Sequence, residues 1–188
     1  MKTAIAYLKS ASPYSQSRAH ETPKLNPTEP PGDYDQRTWR KKCHATKEGN
    51  IFIPPMGFKQ SLDRAASMLG RQIPGKGKST YTKFFLSGVL CINPLILPDL
   101  EENVRGERIH ANSDGVRGSG KRVWRIFPVI DDWEGYVPFT ILADEITKDV
   151  FEDHLRQAGA FVGIGRFRPQ NGGFFGRFTV ESIKWENN

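Results

Sequence analysis

The sequence predicts an α+β domain, from three observations. Apolar residues alternate with period two in several short runs, such as "TAIAYLK", and β-favouring residues fill "RVWRIFPVI". Apolar residues recur at helical spacing in "GFKQSLDRAASMLG" and "TKDVFEDHLRQAGAFV". The 188 residues are 37% hydrophobic and 26% charged, which suits one folded domain of ordinary size.

Taken in order, "TAIAYLK" reads as a first strand. The N-terminus "MKTAIAYLKSASPYS" starts like a signal peptide, but Lys9 breaks its apolar run, so the protein reads as intracellular. No apolar run approaches the ~20 residues that span a bilayer. Residues 10–36 are rich in Ser, Pro, Asp and Glu, and prolines at 27, 30 and 31 argue against a regular element there. This segment is expected to be a mobile Pro-rich loop. "RTWRKKCHAT" is a candidate strand edge, and "NIFIPP" a short strand stopped by Pro54 and Pro55. The first helix follows, with Phe58, Leu62, Ala65, Ala66 and Leu69 as its apolar stripe and Gly70 as its stop. "SGVLCINPLILP" is strand-like, residues 99–121 are a polar excursion, and "RVWRIFPVI" and "GYVPFTILA" are strands. The second helix is capped by Thr147, with Val150, Phe151, Leu155 and Ala158 facing inward. "RFTVESIKW" closes the chain as a strand. The core order β-α-β…β-α-β is that of a ferredoxin-like fold.

The net charge is +6 and the basic residues are segregated. Lys59, Arg64, Arg71, Lys76, Lys78 and Lys83 run with one acid among them, Asp63; Arg117, Lys121, Arg122 and Arg125 run with none. Acids gather at 99–102 and 131–153. Such a distribution predicts a basic face and an anionic partner. Lys59, early in a helix where a cation is unfavourable, reads either as a group awaiting a bound anion or as a solvated lysine.

Known catalytic patterns do not fit. "IPGKGKSTYTKFF" carries Gln72 where a phosphate loop needs glycine. Cys43 and His44, adjacent on an extended segment, point apart, and Cys43 and Cys91 read as packing residues of a reduced compartment. His20, His44, His110 and His154 show no metal spacing, and His154 is expected to face solvent. Asp33 and Asp35 are expected in a solvated turn. No cofactor or metal is predicted, nor an enzyme.

Binding chemistry remains. "GIGRFRPQNGGFFGRF", residues 163–178, holds five glycines, four phenylalanines and three arginines with no acid. Arginine and lysine neutralise phosphates, aromatic faces stack unpaired bases, and glycine lets backbone N–H groups approach an anion. Three segments combine these groups: Trp39 with Arg37, Arg40, Lys41 and Lys42; Tyr81 with Lys76, Lys78 and Lys83; and the C-terminal stretch, where Phe174 and Phe175 are the stacking candidates. With Lys121 and Arg122 they form the predicted interface.

Two motifs together resemble the RAMP superfamily, the RNA-binding proteins that form the backbone of CRISPR effector complexes. "IPPMGFKQSLDRAA" resembles its strand-to-helix signature through Ile53, Pro54, Phe58, Lys59, Leu62, Ala65 and Ala66, with Pro55-Met56-Gly57 in place of the usual Gly-Ser-Ser turn. "IGRFRPQNGGFFGRFTVESI" resembles its glycine-rich loop before a last strand. The resemblance implies a modified ferredoxin-like (RRM-like) domain over residues 1–188, with 75–125 as a thumb-like insertion. It makes Lys59, Arg166, Arg168 and Arg177 phosphate binders and implies assembly of copies along the strand. "IFIPPM" and "GRFRPQNG" also resemble segments of small tailed-bacteriophage proteins, which implies a bacterial cytoplasm. The function expected is a single-stranded nucleic-acid-binding protein, for RNA or single-stranded DNA. The alternatives are an anti-CRISPR or CRISPR-associated interaction protein and a metal-assisted ribonuclease using Asp33 or Asp35.

Overall fold

The computed structural model describes residues 1–112 and 120–187. Arg117, one of the basic residues noted above, lies outside them. In chain order the elements are β1 (Lys2–Ser10), β2 (Tyr14–Ser15), α1 (Pro31–Thr38), β3 (Asn50–Ile53), α2 (Pro55–Leu69), α3 (Thr82–Gly88), β4 (Val89–Leu90), β5 (Leu95–Leu100), β6 (Arg105–Asn112), β7 (Arg122–Ile130), β8 (Glu134–Ile141), α4 (Lys148–Gln157) and β9 (Phe178–Asn187). The protein is a mixed α and β fold built on antiparallel sheets.

The main sheet has the order β4-β8-β1-β9. α2 lies in the connection from β1 to β4, and α4 connects β8 to β9. The alternation of the central strands decides which face the helices cover. Ala4, Ala6 and Leu8 of β1 and Val137, Phe139 and Ile141 of β8 are buried. They share a core with Phe58 and Leu62 of α2 and Phe151 and Leu155 of α4. Tyr7 and Tyr136 pair on the opposite face, ring centroids 4.8 Å apart.

α2 starts three residues before the predicted stripe because Pro55, with its fixed φ, is suited to the first helical position. It ends at Gly70 in the left-handed region, as the sequence predicts. In α4 the Thr147 hydroxyl accepts from the Val150 N–H at 3.3 Å. His154 corrects an expectation. It is fully buried, because residues 151, 154, 155 and 158 share one helical face. Its ring stacks on Phe85 at 4.5 Å, its Nδ1 lies 2.6 Å from the Val150 carbonyl, and its Nε2 is buried without a partner. Burial lowers its pKa. Cys43 and Cys91 are free and buried, which pushes each thiol up to about 12.

A second correction concerns the Pro-rich segment. Residues 31–38 are helical, because Pro30 precedes the helix and Pro31 occupies its first turn, where no N–H is missed. Trp39–Lys42 continues as a single 3-10 turn rather than a strand edge. The segment before α1 is tied down: the Tyr34 hydroxyl donates to the Thr22 carbonyl at 2.7 Å, and Arg37 grips Glu29 with two hydrogen bonds.

β6 and β7 form a hairpin paired from Arg105↔Val129 to Asn112↔Arg122. β2 pairs with the base of β7. The polar excursion of the sequence is therefore half of a β-ribbon. Among the described residues no helix is long and apolar enough to cross a membrane.

Candidate nucleic-acid interface

The glycine-rich stretch folds back on residues 12–15. The Arg166 N–H donates to the Ser15 carbonyl, the Gly176 N–H to the Pro13 carbonyl and the Ile164 N–H to the Gly176 carbonyl. Two glycines are required by this contact. A Cβ on Gly176, at φ +80°, would sit 1.9 Å from the Ile164 carbonyl oxygen; one on Gly165, at φ +74°, 2.3 Å from that of Ser15. The glycines let the chain approach itself, and much of the loop's backbone hydrogen bonding is internal. What the loop presents is side chains.

Phe167 is held at φ +50°, an uncommon conformation for an aromatic residue, with its ring edge-on to Phe127 of β7 at 5.6 Å. The Arg166 guanidinium lies over Phe127 at 4.1 Å and near Phe167 at 5.2 Å. Its Nε is buried with no hydrogen-bond partner, and burial lowers its pKa. Lys42 approaches the same ring to 4.6 Å and donates to Asp35 Oδ1 at 2.5 Å and to the Ile126 carbonyl at 2.7 Å. Burial lowers the Lys42 pKa, opposed by Asp35.

Asp35 overturns the solvated-turn expectation: it is 3% exposed on the inner side of α1. Its Oδ2 accepts from the Ile126 N–H at 2.6 Å, and Arg125 stands 3.7 Å from its Oδ1. It pins α1 to β7 and fixes the Lys42 ammonium. These groups line a pocket of about 400 Å³ together with Arg18, His20 and Tyr34. Four cations (Arg18, Lys42, Arg125, Arg166) face one carboxylate. An anion with a flat apolar neighbour suits this lining: the cations take the charge and Phe127 offers an aromatic surface.

Apart from Arg166 and Lys42, the predicted residues do not converge on this pocket. Lys59 is 7% exposed, and its ammonium donates to Asp63 and to the carbonyls of Phe85 and Leu86, each at 3.1 Å. Three N–H donors meet three acceptors, so Lys59 in this arrangement joins α2 to the last turn of α3 and has no donor left over. Arg37 is committed to Glu29 and to the Pro23 carbonyl. Arg40 donates to the Glu101 and Val104 carbonyls and lies 4.4 Å over the Trp39 ring. Lys41, exposed, stands 3.9 Å from Glu101. Lys76 pairs with Glu145 at 2.8 Å, and Lys78 is exposed on the same turn. Lys121 and Arg122 are exposed at the far end of the ribbon. Arg168 is half-buried with its Nε unpartnered, and Arg177 donates to the Ala160 carbonyl at 3.2 Å. Phe174 is 60% exposed and offers a ring face, whereas Phe175, 8% exposed, packs against Phe167.

Arg18, Tyr34, Arg125 and Phe127 are the pocket residues that sequence reading does not assign to a site, whereas Lys42 belongs to the basic segment around Trp39 and Asp35 is read there only as a loop aspartate for cleavage. The one signal for Arg125 was the acid-free basic run to which it belongs. Among the described residues, no group of three or more His, Cys, Asp or Glu is placed to hold a metal ion.

Fold and site together define an α+β protein with a glycine-rich loop and a basic, aromatic-floored pocket between that loop and a β-ribbon. No family model matches the chain, and no curated protein matches it. Among solved structures it is similar to Cmr6 from Pyrococcus furiosus, at 12% identity and a TM-score of 0.48, over 96% of this chain and 99% of that one. It is also similar to a chain of a CRISPR RNA-guided surveillance complex, at 8% identity and a TM-score of 0.38, over 93% of this chain and 65% of that one.

Proposed function

We propose that this protein binds single-stranded nucleic acid, RNA or DNA, without cleaving it, and that the strand's backbone enters the pocket between the glycine-rich loop and β7. The observation that carries the proposal is Arg166, whose buried Nε lacks a partner while its guanidinium lies on Phe127 among three further cations. A buried donor without an acceptor is costly, and a phosphate oxygen would supply the acceptor. The main-sheet order, with a helix in each crossover, supports the ferredoxin-like assignment, and the β6–β7 ribbon takes the place of the thumb. The two motifs that resemble RAMP proteins support the same function, in a bacterial cytoplasm, with copies assembled along the strand.

Asp35 is not available as a catalytic base in this arrangement, since both its oxygens are engaged. The test is equilibrium binding of labelled 20-nucleotide single strands across salt, followed by long incubation with Mg²⁺. Log K should fall linearly with log salt, by about 0.7 per phosphate contact on a single strand, and the strand should stay intact. Absence of binding at low salt, or affinity indifferent to salt, refutes the binding proposal; a cut strand refutes its non-catalytic part.

A further inference from the structure

The pocket draws mainly on one face of the β-ribbon. Phe127, Arg125 and Ala111 point into it. Alternation places Arg122, Trp124 and Ile126 of β7 on the other face, with Asn112, His110 and Arg108 of β6 directly opposite them. This outer face has its own aromatic and its own cations, and no acid among those six residues.

Trp124 is 53% exposed, although large aromatics are usually buried. The Arg108 guanidinium lies 5.0 Å over its ring, and the His110 ring is tilted against it at 5.0 Å. Arg122 is held next to them by a 2.6 Å hydrogen bond to the His110 carbonyl. The floor of this face is built. Trp39 packs so closely on Gly106 that a Cβ there would lie 3.0 Å from the indole and 2.8 Å from Ile126. Arg40 covers Trp39. Trp39 is half-buried there, while Trp124, two residues before Ile126 on β7, stays 53% exposed.

We propose that the outer face of the β6–β7 ribbon is a second contact surface for single-stranded nucleic acid: Trp124 stacks one unpaired base, and Arg108 and Arg122 hold the flanking phosphates. The charge of the face selects this occupant, since two arginines with no carboxylate among the six described residues of that face complement phosphate. The two surfaces lie on opposite faces of one two-stranded ribbon, with Phe127 and Trp124 three residues apart on β7. A strand leaving the pocket and turning round the edge of the ribbon would meet Trp124. This inference rests on the binding function proposed above and adds to it a stacking residue on the opposite side of the ribbon.

The experiment is a titration of the full chain with uridine and thymidine 20-mers, read by tryptophan emission and by anisotropy of the labelled strand. Stacking on Trp124 should quench emission. Trp124→Ala should weaken binding about tenfold or more and remove most of the quench. Trp124→Phe should restore most of the affinity. Because Trp124 is exposed, both variants should melt like the parent. Arg166→Ala should weaken binding while leaving the quench at saturation. Trp124→Ala binding within about twofold of the parent with an unaltered quench, beside a weakened Arg166→Ala, would overturn the outer surface alone. If the parent binds neither strand, both surfaces are overturned.

Discussion

Replacing Lys59 by methionine separates a structural role from a phosphate-binding one. Methionine keeps most of the apolar stem and removes the ammonium. The loss leaves Asp63, a largely buried carboxylate, without its counter-ion, and the Phe85 and Leu86 carbonyls without a donor. Removing one partner of a buried ion pair costs about 3–5 kcal/mol. Asp63 retains some solvent contact, and burial already pushes its pKa up, so partial protonation relieves part of that cost. We expect a loss of about 2–3 kcal/mol, which for a chain of this size lowers the melting temperature by roughly 5–10 °C. The pH dependence has a fixed sign. Without Lys59 the folded-state pKa of Asp63 rises further above its unfolded value, so the penalty is largest above the folded value and shrinks as pH falls through it. The stability gap between variant and parent should therefore narrow from pH 7 to pH 5. A second change, Asp63→Asn, should recover much of the loss. The assays are thermal and urea unfolding, with strand binding measured well below the melting temperature, where the variant should match the parent within about twofold. Unchanged stability with affinity reduced tenfold would refute the structural assignment and return Lys59 to the phosphate-binding role suggested by its motif.

Two further predictions concern the core and the loop. His154, buried and held below its ordinary pKa, contributes stability that is present in full above about pH 6.5 and is lost as pH falls towards its lowered folded value. Urea midpoints from pH 8 to pH 5 should show this fall, and His154→Leu should flatten it; an unchanged slope in the variant rejects the assignment. Gly176→Ala should cost more than about 2 kcal/mol through its left-handed φ and the Ile164 carbonyl. Gly57→Ala, within α2 and with its nearest neighbour 4.0 Å from the added Cβ, should gain about 0.5–1 kcal/mol. Equal effects at the two glycines in denaturant unfolding would contradict the loop geometry.

The parts of the fold written in local pattern were legible. The alternation in β1, the β-favouring run of β7, the stripe of α2 with its Gly70 stop and the Thr147 cap of α4 depend on residues a few positions apart, and the structure shows each of them. The helix over 31–38 is obscured in the sequence because proline usually breaks helices, whereas Pro31 sits where a helix tolerates it. The site was less legible because its partners are far apart in sequence. Asp35 meets the Ile126 amide 91 residues away, and Arg166 meets Phe127. Lys59 illustrates the opposite limit: composition marks it as a cation that needs a partner, but not that α3 supplies two carbonyls. The glycines of residues 163–178 were legible as a requirement for close approach, though the approaching group is the chain itself.

The central claim is the path of the strand, and photocrosslinking tests it most directly. A 4-thiouridine-substituted single-stranded RNA, crosslinked to the full chain and mapped by mass spectrometry, should label peptides carrying Phe127 on β7 and Phe167 or Phe174 in the glycine-rich loop. Arg166→Ala should reduce that labelling. Crosslinks confined to the α2–α3 side around Lys59 and Lys76, with none on β7 or the loop, would contradict it.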